Sequence, residues 1–105
     1  MLTSETDLPT KVDFRLVEHV GEECCRSRGL TMKMKGPLSK YPDSTHWHFK
    51  EGTQERRGTL EVTLWRGGRR LWLSVQAGRA GTWTQDAMVR MKTALEIQLK
   101  QSVSV

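Results

Sequence analysis

The sequence has little cysteine and no long hydrophobic run. Its only two cysteines, Cys24 and Cys25, are neighbours in a chain of 105 residues, and a disulfide between adjacent residues would need a strained geometry. The C-x-x-C spacing of zinc fingers and the glycine-rich loops that hold phosphates are absent. No stretch approaches the roughly 20 apolar residues of a membrane span. We therefore expect a cytoplasmic protein without disulfides, membrane contact or a cofactor.

Residues 1–10 also lack the basic start and apolar stretch of a signal peptide. At this length, folding removes roughly 65% of the accessible surface from water, which suffices for one hydrophobic core.

The charge is uneven along the chain. Residues 1–25 carry two basic and six acidic side chains, whereas residues 26–80 carry twelve basic and four acidic ones. An acidic beginning followed by a basic middle gives the domain a charge dipole that attracts anionic partners to the basic part.

The N-terminal third predicts a leader and then a helix. Residues 1–9 are typical of a polar, flexible leader, and Thr10 is suited to cap a helix. Val12, Leu16, Val20 and Cys24 recur every four residues and form one apolar stripe. Gly29 follows where a helix C-terminus is expected. The segment 11–16 also alternates as a strand would, but the helix is favoured because its stripe continues to Cys24.

The middle of the chain alternates with period two. The segments with this strand pattern are residues 31–35, 44–50, 59–65 and 70–76. Gly67–Gly68 separates the last two segments, and a glycine pair tolerates the positive φ values that hairpin turns require. Closing the hairpin there sets Leu64 opposite Leu71 and Trp65 opposite Arg70.

Helical periodicity returns after Gly81 and predicts a helix that ends near residue 101, followed by a frayed tail over residues 102–105. The expected fold is a single α+β domain over residues 10–101 with the order α-β-β-β-β-α. Its four-stranded antiparallel sheet would carry both helices on one face. We call the other face, which the helices leave uncovered, the open face.

The open face is predicted to combine cations with aromatic rings. Trp65 and Trp72 fall on it as diagonal neighbours, and a solvated sheet face normally lacks two tryptophans, so a partner is expected to cover it. Lysine and arginine contact phosphates, and unpaired bases stack on indole rings. The preferred hypothesis is a nucleic-acid-binding module without a catalytic signature. Its candidate contact residues are Lys33, Lys35, Trp65, Arg70, Trp72 and Arg79.

Three other interpretations stay open. In one, the tryptophans lie against arginine stems and bind nothing. In another, a second copy or a protein partner covers the same face, as in small regulatory, toxin–antitoxin or immunity proteins, because aromatic residues and arginine are enriched at interfaces. In the last, His46-Trp47-His48 aims both imidazoles at the open face. A strand register that places His48 opposite Glu61 would then assemble a ligand set for zinc or ferrous iron, and with it a metal-binding protein or enzyme.

Overall fold

Among the residues that the computed structural model describes, which are 2–51, 58–75 and 81–103, two helices pack against a five-stranded antiparallel sheet. The elements in chain order are β1 (Leu2–Thr6), α1 (Phe14–Ser27), β2 (Leu30–Leu38), β3 (Tyr41–Glu51), β4 (Leu60–Trp65), β5 (Arg70–Val75) and α2 (Gly81–Val103). Across the sheet the strands lie in the order β1-β5-β4-β3-β2. The α+β class and the four expected strands, now β2 to β5, are confirmed.

Strand β1 corrects the predicted leader. Residues 2–6 pair with β5 in a continuous register from Leu2 opposite Val75 to Thr6 opposite Leu71. Thr6 is 2% exposed, and the next backbone N–H, that of Asp7, donates to Glu96 Oε2 in α2 at 3.0 Å. A short edge strand needs few apolar residues, because one of its faces and one of its edges remain in water. Its polar composition therefore resembled that of a flexible segment.

Helix α1 begins at Phe14 and not near residue 10. Asp13 is its N-cap, and the Asp13 side chain accepts a hydrogen bond from the backbone N–H of Arg15 at 2.9 Å. Aspartate caps helices more strongly than threonine, and Lys11, with a φ of 63°, interrupts a helix started at Thr10. The predicted role of Gly29 is confirmed, since it follows the helix with a φ of 79°.

Both helices contribute to one core on the same side of the sheet. Helix α2 runs past the predicted end at residue 101, so Ser102 and Val103 of the expected frayed tail are helical. The buried side chains of this core include Val17, Val20 and Cys25 from α1, Met91, Leu95 and Leu99 from α2, and Phe49, Leu60, Leu64, Leu71 and Leu73 from the sheet.

The β4–β5 hairpin has the predicted register, with Leu64 opposite Leu71 and Trp65 opposite Arg70. The role of its glycines differs from the prediction. The positive φ in the turn belongs to Arg69, at 51°, while a Cβ atom at Gly68 would collide with the ring of Trp65. Glycine is required here because the indole packs directly on the turn.

A β-bulge in β2 overturns the placement of Lys35 on the open face. The register between β2 and β3 shifts between Met32 and Met34, and the extra residue in a bulge reverses the alternation beyond it. Lys35 consequently lies opposite Trp47 on the helix side. Its ammonium group is 2.7 Å from Glu22 Oε2 and 3.5 Å from Glu18 Oε1, both in α1.

Glu22 links α1 to the sheet through two bonds. It accepts a hydrogen bond from the indole N–H of Trp47 at 2.9 Å, and it pairs with Lys35. Partial burial by itself would raise the pKa of Glu22, but the bonds from Lys35 and Trp47 outweigh burial and lower the pKa below its ordinary value. The carboxylate form is therefore the one that stabilises the fold.

We expect Glu22→Ala to lower the free energy of unfolding by about 1–3 kcal/mol at neutral pH, because Trp47, 2% exposed, loses the acceptor for its N–H. Glu22→Gln keeps an acceptor and should lose less. Since the pKa is lowered on folding, the stabilisation is complete above the unfolded-state pKa near 4.5 and disappears as the pH falls below it. Urea unfolding of wild type and Glu22→Gln from pH 7 to pH 3 measures this, and a difference that grows in acid would contradict it.

Candidate metal centre and the open face

The candidate metal ligands come from neighbouring positions of β3 and β4. His48 lies opposite Glu61, and His46 lies opposite Thr63. The loop after residue 50 gave no basis for fixing this register from sequence, and the structure confirms the pairing on which the metal hypothesis depended. Because residues two apart on a strand share a face, both imidazoles and the carboxylate project from the open face.

Three donor atoms converge in this cluster. His46 Nε2 is 3.0 Å from Glu61 Oε1 and 3.0 Å from His48 Nε2, while His48 Nε2 is 3.5 Å from Glu61 Oε1. The two imidazole rings are inclined at 78° to each other. One oxygen and two nitrogens that can each act as a metal ligand therefore lie within 4.8 Å of one another.

These separations match those between ligands of a tetrahedral zinc ion. With Zn–N and Zn–O bonds of about 2.0–2.1 Å, the edge of a coordination tetrahedron is about 3.3 Å. The three observed edges are 3.0, 3.0 and 3.5 Å. An ion at bonding distance from all three atoms would lie about 1 Å outside their plane, as in a tetrahedral site.

Thr63 contacts the ring nitrogen of His46 that does not face the other two candidate ligands. His46 Nδ1 is 2.7 Å from Thr63 Oγ1, and when Nδ1–H donates to that hydroxyl, the lone pair of Nε2 faces the cluster. Metal-bound histidines are commonly oriented in this way by a bond to their other nitrogen. Burial lowers the pKa of His46, and although Glu61 opposes this effect, the pKa stays below its ordinary value. A lowered pKa favours the neutral imidazole, which is the form that binds metals.

The cluster offers three protein ligands, and the part of the chain that the structure describes adds no fourth histidine, cysteine, aspartate or glutamate to the group. His46 is almost fully buried, but the side chains of His48 and Glu61 are 36% and 20% exposed. A bound ion would thus keep a coordination position toward solvent. Catalytic zinc sites have this arrangement, whereas structural sites are closed by four protein ligands.

Three aromatic rings lie together elsewhere on the open face. The ring centroid of Tyr41 is 4.9 Å from that of Trp65 and 5.8 Å from that of Trp72. The guanidinium of Arg70 is 5.1 Å from the Trp72 ring and pairs with Glu5 of β1. The predicted placement of Trp65, Trp72 and Arg70 on one face is confirmed. Tyr41 is not among the predicted contact residues, because it precedes the segment 44–50 that carries the strand pattern, whereas the structure places it at the start of β3.

The predicted cationic residues of this face are brought together only in part. Lys33 is exposed on β2, Lys35 lies on the helix side, and Arg79 falls outside the described residues. Nη1 of Arg66 donates a hydrogen bond to the backbone carbonyl of Asp43 at 2.8 Å. The structure therefore brings the three metal-ligand candidates together, but it does not bring the predicted phosphate-binding lysines and arginines together on one face.

No protein-family model, curated protein or solved structure matches the chain. None of the helices in the described ranges is long and apolar enough to cross a membrane. The interpretation of the site therefore depends on its own geometry.

Proposed function

We propose that this protein binds a divalent transition metal ion, zinc by preference, through His46, His48 and Glu61. The observation that carries the proposal is the convergence of Nε2, Nε2 and Oε1 with separations of 3.0, 3.0 and 3.5 Å. The two neutral imidazoles carry one ring proton each and can therefore donate to at most two of these contacts, whereas one cation would be in contact with all three atoms. Two imidazoles with one carboxylate suit zinc and ferrous iron, and the tetrahedral spacing favours zinc.

The bound ion would have a catalytic role and would not be required for folding. The hydrophobic core lies on the helix side of the sheet and is filled by side chains from both helices and the sheet, so the fold closes without a metal. With three protein ligands, the ion would hold an exchangeable water. Zinc lowers the pKa of such a water to about 7 and polarises a bound oxygen, which is the basis of metal-assisted hydrolysis.

Competition with a chromophoric chelator tests the proposal. We expect the purified chain to take up one Zn²⁺ at micromolar metal, and the cobalt form to show the intense visible absorption of a four-coordinate Co²⁺ ion. Failure to compete for zinc at micromolar concentration would overturn the proposal. Weak cobalt absorption typical of a six-coordinate ion would contradict the tetrahedral geometry on which the preference for zinc depends.

The cluster of Tyr41, Trp65 and Trp72 favours a second candidate function, the binding of single-stranded nucleic acid on the same face. Base stacking on an aromatic side chain contributes about 1–3 kcal/mol per base. We expect replacement of Trp65 and Trp72 together by alanine to weaken oligonucleotide binding by at least tenfold. Fluorescence anisotropy of a labelled single strand at two salt concentrations measures this. Trp83→Ala in α2, which packs against the core on the other side of the sheet, is the tryptophan control once circular dichroism shows that it is folded.

A homodimer that buries the same face would give a different result. Light scattering would then report twice the 12.0 kDa mass of the chain, and the oligonucleotide would not bind. Salt-independent binding would also contradict the nucleic-acid proposal, because phosphate contacts release counterions and weaken as salt rises.

A further inference from the structure

A large groove lies on the helix side of the sheet, on the opposite face from the metal cluster. It has a volume of about 570 Å³ and runs between helix α2 and the junction of α1 with β2. Ligand pockets in proteins commonly enclose about 300–1,000 Å³. The groove is therefore large enough for a small molecule, and none of the metal or aromatic residues contributes to it.

Small side chains on α2 create the depth of the groove. Ala87 and Ala94 are seven residues apart, two helical turns, and both lie on its floor with Leu30 and Met91. These four residues are at most 9% exposed. Larger side chains at the two alanine positions would fill the space. The floor is thus entirely apolar and suits a hydrocarbon body.

Two branched apolar side chains stand at the edge of the groove in contact with water. Val89 is 65% exposed and Ile97 is 49% exposed, and both line the groove. Exposed β-branched side chains beside an apolar groove are typical of a surface that a ligand covers. The side chains of Val89 and Ile97 could contact the hydrocarbon part of a bound ligand without any rearrangement of α2.

The charged residues of the groove have one sign. Arg28 and Arg90 line it, and none of its described lining residues is acidic. Arg28 is held at the end of α1, where its Nη1 donates to the Cys24 carbonyl at 3.4 Å and to Ser27 Oγ at 3.2 Å. Arg90 Nε donates to the Asp86 carbonyl at 3.4 Å. These contacts tie Arg28 to α1 and Arg90 to α2 at the groove that both residues line.

We propose that this groove binds a fatty acid, a carboxylate on a single hydrocarbon chain of about ten carbons or more. Its hydrocarbon chain would lie over Ala87, Ala94 and Leu30, and its carboxylate would meet Arg90 and Arg28. Guanidinium groups match the geometry of carboxylates and form charge-assisted hydrogen bonds with them. A groove bounded by one helix and one strand end accommodates a single chain, which favours a free fatty acid over a two-chain lipid.

Calorimetric titration of the purified chain with decanoate, below its micelle concentration, tests this proposal. We expect saturable binding at one site, and at least tenfold weaker binding of 1-decanol, which has the same chain without the charge. Arg90→Gln should weaken decanoate binding about tenfold or more, since a hydrogen bond to a charged group is lost. Arg15→Gln removes an exposed arginine from α1 and should leave the affinity unchanged.

Two further variants address the apolar part. Ala94→Leu fills the groove and should abolish binding, and Ile97→Glu places a negative charge at an exposed position of its edge and should weaken binding without disturbing the fold. Circular dichroism of each variant confirms folding. The proposal is wrong if wild type shows no saturable heat with decanoate, if decanol binds equally well, or if folded Arg90→Gln and Ile97→Glu bind decanoate like wild type.

Discussion

Replacing His48 by alanine is expected to lower the affinity for zinc by more than about 100-fold, because even residues that only support a ligand contribute about 10–100-fold. His48 is the cleanest position for this test, since its side chain is 36% exposed and can be removed without opening the core. Glu61→Gln should have a similar effect, because it keeps the shape of the side chain and removes the anionic oxygen. Chelator competition measures both affinities.

His19 provides the matched control. It is the remaining histidine of the chain and is exposed on α1, so His19→Ala should bind zinc like wild type. The thermal midpoint gives a second readout, because a ligand that binds only the folded state stabilises it by about 2.7 kcal/mol at 100 times its dissociation constant. Zinc should raise the midpoint of wild type and His19→Ala, and leave that of His48→Ala unchanged. Equal zinc affinities for His48→Ala and His19→Ala would refute the site.

Removal of β1 should have the largest effect on stability. A chain that begins at Pro9 loses the pairing of residues 2–6 with β5 and the bond from Asp7 to Glu96 of α2. It also exposes the edge of β5, whose Leu71, Leu73 and Val75 are buried in the core. We expect a loss of more than about 3 kcal/mol, a large part of the 5–15 kcal/mol by which domains are stable.

Urea unfolding of the shortened chain measures this loss. Thr3→Ala in the full-length chain is the control, because Thr3 is exposed and exposed substitutions usually change stability by no more than about 0.5 kcal/mol. An unchanged urea midpoint in the shortened chain would mean that residues 1–8 are the dispensable leader that their composition suggests.

The sequence carried enough information for the centre of the sheet and for the metal ligands. Strict alternation in β3, β4 and β5 assigned each side chain to a face, and a one-residue slip would have placed polar groups in the core. His46 and His48 were thus assigned to one face from spacing alone. Only their register with Glu61 needed the structure, because the sequence before Gly58 contains no turn motif from which the pairing of the two strands can be derived.

The edges of the sheet were less predictable, because there the hydrophobic pattern is weak or broken. β1 is polar and is recognisable only through its contacts with β5 and α2. In β2, the bulge between Met32 and Met34 inserts one residue, and no local residue type marks it. Assigning Lys35 by simple alternation therefore put it on the wrong face. The same bulge explains why Met34, and not Lys33, lies opposite His48.

The irregular path of β2 also bears on how the protein behaves when concentrated. A regular exposed strand edge can template pairing with another chain, which leads to aggregation. β2 departs from regularity twice, between Met32 and Met34 and between Gly36 and Leu38, and Pro37 lacks the N–H that a continuing ladder requires. Met32 and Met34, which are 37% and 41% exposed, thus lie on an edge whose hydrogen-bond ladder is interrupted, and we expect this edge to resist cross-β pairing when the protein is concentrated.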